Sequence, residues 1–302
     1  MKNVNISIIL IIGMIAVSTS PVSVKILNQY ENVNGIMLAF WRMSIAAMFL
    51  WIYSCIINFG SFKTRKNLIT TNISGFFLGV HFALFFIALD LTKMANATFL
   101  GTLTPVFTLL LEILYLKRSF SFTIYFGLVL AMIGATVIFF GSSSISFGIE
   151  HLWGNLLALS CALVLAVSFL ISEKIRKTEP TTIYTRTLYT SASFTILVIA
   201  ILFDNNIFPV NNHISLLLGC IYLALIPTLL GHNLFYYSMK YINPTIVASV
   251  PLSEPVIASG IGLLIFPILG IENQIFTENK YFTILGGFIT LLGIFIILKK
   301  KK

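Results

Sequence analysis

The sequence predicts an all-α integral membrane protein in which ten transmembrane helices form two inverted five-helix repeats. Three observations carry that prediction. The 302 residues are 58% hydrophobic and only 10% charged, with 27 Phe, which leaves too little polar surface to cover a soluble globule. The apolar residues fall in long runs rather than alternating ten-residue stripes, so the spans read as helices and not as a barrel. A low-apolarity stretch, Gly141 to His151 (GSSSISFGIEH), divides the runs five and five, and an odd-numbered unit inserts its second copy upside down.

The runs are 5–24, 36–57, 70–89, 94–115, 121–140, 152–172, 182–203, 214–238, 244–267 and 281–298. Each is close to the roughly 20 residues that a helix needs to cross about 30 Å of hydrocarbon. The first could mimic a signal peptide, but no small-x-small cleavage site follows it, and it is kept as a span. The repeats divide the chain into 1–141 and 142–302. His81 to Val106 aligns without gaps on Gly231 to Val256 at an offset of 150, pairing Pro105 with Pro255 and Thr104 with Glu254. The fifth and tenth spans share a Gly-x6-Gly spacing, Gly127 and Gly134 against Gly286 and Gly293.

The net charge of +9 raises a nucleic-acid partner, but its distribution excludes one. With the N-terminus cytoplasmic, 14 of the 19 Lys and Arg fall in cytoplasmic segments: Lys2, Lys63, Arg65, Lys66, Lys117, Arg118, Lys174, Arg176, Lys177, Lys240 and Lys299 to Lys302. Both termini are therefore expected in the cytoplasm, with the protein in the cytoplasmic membrane. Cys55, Cys161 and Cys220 lie in apolar runs and are odd in number, suggesting neither a disulfide framework nor a metal site. No cofactor is expected, and the partners are membrane lipids and a small-molecule solute. The stripe Gly127, Ala131, Ala135 lets another helix approach closely, either within the chain or in a homodimer.

Polar residues inside the spans locate the candidate site. In the first span Ser18, Pro21 and Lys25 share a face, and Lys25 reads either as reaching headgroups or as attracting an anionic solute. Arg42, about two turns into the second span, either snorkels to the interface or lines the pathway, and Trp41 beside it reads as an interfacial anchor. His81 lies near mid-bilayer. The fourth span carries a stripe of Gly101, Thr104 with Pro105, Thr108 and Glu112. Thr104 and Thr108 are cavity candidates, while Glu112 is expected to pair with Lys117 or Arg118.

In the sixth span Ser160, Cys161 and Ser168 fall on one side. Arg186 in the seventh is expected to snorkel. The eighth carries Thr228, His232, Tyr236 and Lys240, each four apart, with Pro227 at the deep end. In the ninth, Pro251 and Pro255 disrupt the ladder and Ser253 precedes Glu254. Glu254 lies ten residues in, about 15 Å along the helix, at the bilayer centre. A carboxylate there must be protonated, paired or facing a wet cavity.

PTLLGHNLFYYSMKYINPTIVASVPLSEPV resembles the second-half signature of the drug/metabolite transporter superfamily, EamA-type family. SPVSVK, FWR and the Thr-Pro-Val turn are similar to the family's first half. The resemblance implies carriers of small metabolites, often amino acids or related compounds, working by alternating access. One departure is plain: where the family has Leu-Gly-Glu after the fourth span, this chain reads LKR, with Arg118 at the acid's place, and the later counterpart Glu272 is displaced.

The expected function is secondary transport of a small metabolite, with a coupling proton as a further candidate. The expected substrate-binding residues are Glu254, Ser253, His81, Thr104, Thr108, His232, Tyr236, Arg42 and Ser160. No HExxH, GxSxG or Walker segment supports an enzyme or a powered pump. A non-transporting scaffold or receptor is the other reading, and it requires a dry, packed centre.

Overall fold

A computed structural model describes residues 5–30, 33–141, 148–208, 214–271 and 280–299. Among them every regular element is helical, and ten helical spans are long and apolar enough to cross a membrane. Their bounds, Ile6–Asn28 through Tyr281–Lys299, stay within a few residues of the apolar runs, except that the third and sixth start or end several residues further out.

Seven of the spans are single α-helices. They are α1 (Ile6–Tyr30), α2 (Gly35–Ile56), α3 (Arg65–Leu91), α6 (Phe122–Phe140), α7 (Leu152–Arg176), α8 (Thr181–Leu202) and α13 (Lys280–Lys299). The fourth is broken into α4 (Met94–Gly101) and α5 (Thr104–Leu114). The eighth runs from α9 (Ile214–Leu223) through a π-helical stretch, Ala224–His232, into α10 (Asn233–Ser238). The ninth is α11 (Pro244–Ser249), a 3₁₀ turn Val250–Ser253, and α12 (Glu254–Ile265). Proline explains each departure, because it removes an N–H and crowds the preceding turn: Pro105 opens α5, Pro227 sits in the π stretch, Pro251 lies in the 3₁₀ turn and Pro255 in the first turn of α12. Pro21 leaves α1 unbroken.

Helix contacts follow the pseudo-twofold that an inverted repeat imposes. The third span packs on the sixth, as the first packs on the eighth; the second meets the seventh, and the fifth the tenth. The last pair is clearest at its glycines. A Cβ built on Gly293 would meet the Gly127 carbonyl at 2.5 Å, and one on Gly134 would meet the Gly286 carbonyl at 2.5 Å. Exchanging the repeats carries the first contact onto the second. The small-residue stripe is thus used between α6 and α13 inside the chain, and Gly75 and Gly79 likewise admit the backbone of α8.

The outer belt is apolar, with Ile8, Ile11, Ile12 and Ile15 on α1 and Phe122, Phe126, Val129 and Ile133 on α6 exposed toward lipid. Buried polar residues instead concentrate along the central faces of the spans.

Gly134→Leu is predicted to lower thermal stability by about 1–3 kcal/mol or to prevent assembly, because two of the three nearest atoms, Thr290 N and the Gly286 carbonyl oxygen, are backbone and cannot yield. Gly260→Ala, with nothing within 4 Å of its Cβ, is predicted to be neutral. Melting of both purified variants in detergent checks the pair.

Candidate functional site

The two interrupted spans bring their broken ends to the middle of the bundle. Breaking a helix in a bilayer leaves backbone carbonyls that need donors, and nearby hydroxyls supply them. Thr104 donates to the Gly101 carbonyl at 3.2 Å, Thr108 to Pro105 at 3.0 Å, Ser249 to Ile246 at 2.8 Å and Ser253 to Val250 at 2.7 Å. Each hydroxyl has one proton, so these four are available to a solute as acceptors only. Glu254 occupies the first turn of α12, at the positive end of that helix dipole.

Arg42 turns inward from α2. Its Nε donates to Thr228 Oγ1 at 2.6 Å, and that hydroxyl donates in turn to the Leu223 carbonyl at 2.8 Å, five residues back. The π-helical stretch around Pro227 therefore presents Thr228 to Arg42. The Phe82 ring lies 5.3 Å from the guanidinium, and Nη1 reaches Ser20 Oγ at 3.5 Å. Nη2 is buried and has no acceptor among the described residues. Glu254, His81, His232 and Tyr189 all feel the Arg42 charge. No hydrogen bond or ion pair among the described residues reaches the Glu254 carboxylate, which lies deep in the bundle yet remains partly exposed.

His81 Nδ1 lies 3.0 Å from the Cys161 carbonyl and 3.1 Å from its Sγ. Phe82 sits between the two histidines, its ring centroid 5.1 Å from His81 and 6.4 Å from His232. Tyr236 is fully buried in an aromatic cluster with Tyr184, Tyr189 and Phe169, and its hydroxyl has no partner among the described residues. Tyr189 donates to Asn233 Oδ1 at 2.8 Å, a pair that sequence patterning does not single out.

The structure thus gathers Arg42, Thr228, His81, His232 and Glu254 around one central region, with Ser253, Thr104 and Thr108 at the helix breaks and Tyr236 further toward the face that carries residues 5 and 299. Ser160 is not brought in. It is exposed on the outside of α7, while its neighbour Cys161 faces His81; one residue turns a helix by about 100°, enough to point the two apart. Trp41 anchors to protein, donating from Nε1 to the Ile207 carbonyl at 2.8 Å. Lys25 lies 5.2 Å from the Phe266 ring.

Exposure differs on the two sides of this region. Toward the face carrying residues 5 and 299, Thr104, Thr108, Glu112, Thr245, Ser249 and Ser253 are all buried. Toward the opposite face, Thr19, Ser20, Ser23, Lys25 and Thr102 are partly exposed.

Charged contacts close the buried side. Glu112, fully buried at the end of α5, accepts from Thr245 N at 2.9 Å and Thr245 Oγ1 at 2.5 Å, satisfying an orphan donor at the start of α11. Arg118 pairs with Glu112 as expected, and also with Glu173 at 2.9 Å, while Lys177 meets Glu173 at 2.8 Å. Burial lowers the Arg118 pKa, but the hydrogen bonds to Glu173 and Glu112 together with the charges of those carboxylates raise it on balance. Arg186 does not snorkel: it is buried, stacks 4.5 Å from Trp51, and donates to the carbonyls of Phe59 and, at 2.7 Å, Gly60. The carbonyls of the 58–60 turn, invisible to span-by-span patterning, hold it there. Glu272 lies outside the described residues.

The chain matches the profile of the EamA-like transporter family over residues 5–140 and 152–299. It is similar to the uncharacterized transporter YdfC of Bacillus subtilis (strain 168), 25% identical over 271 residues that cover 88% of this chain and 82% of that one. A protein of known crystal structure superposes over 98% of both chains with a TM-score of 0.76 at 17% identity, a likeness of fold alone.

Arg118→Gln leaves two buried carboxylates without their shared cation. It is predicted to cost about 1–3 kcal/mol of stability, with Arg118→Lys recovering part, as read by thermal unfolding of the purified variants.

Proposed function

Because the chain belongs to the EamA-like transporter family, we propose that it is a secondary transporter carrying a small metabolite, an amino acid or a related compound, by alternating access. The halves 1–141 and 142–302 rock against each other about the paired helix breaks, exposing the central region to one face and then the other. The single observation that carries this reading is the asymmetry of exposure. Thr19, Ser20, Ser23 and Lys25 are partly exposed on one side of the breaks, and Glu112, Thr245 and Arg118 close the other. A scaffold or receptor would have its centre dry and packed on both sides.

The basic residues collect at the face that carries the termini, which supports a cytoplasmic orientation for both ends in the cytoplasmic membrane. The state described is then open outward and closed inward. Glu254 is the coupling group. It lies at the centre with no partner for its carboxylate among the described residues, so a proton or a cationic part of the solute is free to take that place. His81 and His232 line the same space, and Ser253, Thr104 and Thr108 offer acceptor oxygens.

A thermal-stabilisation screen of metabolites supplies a solute, since a ligand that binds the folded form raises its melting temperature. With that solute in proteoliposomes, Glu254→Gln is expected to fold normally and to lose either flux or its pH dependence. Flux with the wild-type rate and pH profile in the variant removes Glu254 from the mechanism.

A further inference from the structure

Resting on the transporter reading, we propose that Arg42 is the anchor for an anionic group of the solute, a carboxylate that docks end-on against Nη1 and Nη2.

The argument starts from an incomplete set of contacts. A guanidinium has five N–H donors and needs acceptors for them when it leaves water. Arg42 is 9% exposed, yet its bonds to protein are one good contact, Nε to Thr228 at 2.6 Å, and one at the limit, Nη1 to Ser20 at 3.5 Å. Nη2 is buried with no partner, and no ion pair to Arg42 exists among the described residues. The other buried arginines are treated differently. Arg176 is bonded through Nε, Nη1 and Nη2, to Tyr236, Glu179 and Thr181. Arg186 donates from both terminal nitrogens to the 58–60 turn. Arg42 alone of the three has a buried terminal nitrogen with no acceptor among the described residues.

What holds Arg42 also orients it. Thr228 occupies the Nε edge and Phe82 covers one face at 5.3 Å, which leaves the edge formed by the two terminal nitrogens. That edge matches a planar carboxylate, which takes two parallel N–H bonds. A phosphate dianion fits less well, because it would place two negative charges near Glu254 against a single cation. The hydroxyls at the helix breaks cannot substitute for Arg42, since their protons are already given to carbonyls.

The test uses the purified full chain and matched probes: acetate, butyrate and phenylacetate against their amides, with inorganic phosphate as a further contrast. At least one acid is expected to raise the melting temperature where its amide does not, with phosphate weaker than that acid. Arg42→Gln is expected to weaken binding of the acid about tenfold or more, and Arg42→Lys to weaken it less.

A second measurement needs no variant. Phenylglyoxal modification of Arg42 in the wild-type protein, followed by mass spectrometry, is expected to be slowed by the acid and not by the amide. Equal effects of acid and amide, no effect of any acid, or an acid effect that survives in Arg42→Gln would overturn the assignment. If these failures occur while the Glu254-dependent flux stands, the anion anchor falls and the transporter reading remains. Acid-selective protection without any flux leaves the anchor standing and removes the transporter reading.

Discussion

A lipid bilayer offers no water to a broken helix, and the rest of this structure depends on that constraint. Two of the ten spans are broken at mid-membrane, around Thr102–Leu103 and Val250–Ser253, and a third passes through the π-helical stretch Ala224–His232; each break frees backbone groups that only protein or an internal pool of water can satisfy. The bundle answers with hydroxyls placed one turn from the carbonyls they serve. At that depth a charged side chain is tolerable only where protein or water surrounds it. Arg42 and Glu254 sit there without bonding to each other.

The two sides of that space are built differently. Toward the termini the chain uses charge: Glu112 ties the end of α5 to the start of α11, and Arg118 joins it to Glu173 on α7. Toward the opposite face Lys25 lies over the Phe266 ring, beside a small apolar cluster of Val22, Ala258 and Phe266. Inverted repeats give equivalent backbones, but their sequences need not match. Glu112, Arg118 and Glu173 thus tie α5, α11 and α7 together at the end that carries the termini.

Much of this architecture was legible from residue patterns, and the reasons are local. Apolar runs of membrane length fix the spans, prolines fix the breaks, and the matched Gly-x6-Gly spacings announce the α6–α13 contact. The site was legible only in part. Glu254 and Arg42 stand out because a charge in a span has few explanations, but whether Arg42 turns inward depends on Thr228 across a different helix, and on a π-helical stretch that Pro227 alone does not specify. Ser160 shows the limit of periodicity: a stripe shared with Cys161 and Ser168 looks continuous in sequence, yet the phase of α7 puts Ser160 on the lipid side. Arg186 was misjudged because its acceptors are carbonyls of a turn about 126 residues away, which no pattern within its own span reveals.

The central claim is that solvent reaches the helix breaks from one face at a time. Its most direct test replaces Cys55, Cys161 and Cys220, introduces single cysteines by Ser20→Cys and Ser249→Cys in separate proteins, and applies a membrane-impermeant thiol reagent from either side. The account predicts that Ser20→Cys reacts only from the face opposite the termini and Ser249→Cys only from the face that carries them, and that a solute which promotes one reaction suppresses the other. Absence of reaction at both positions, as in a dry and packed centre, would contradict it, as would free reaction at both from the same side.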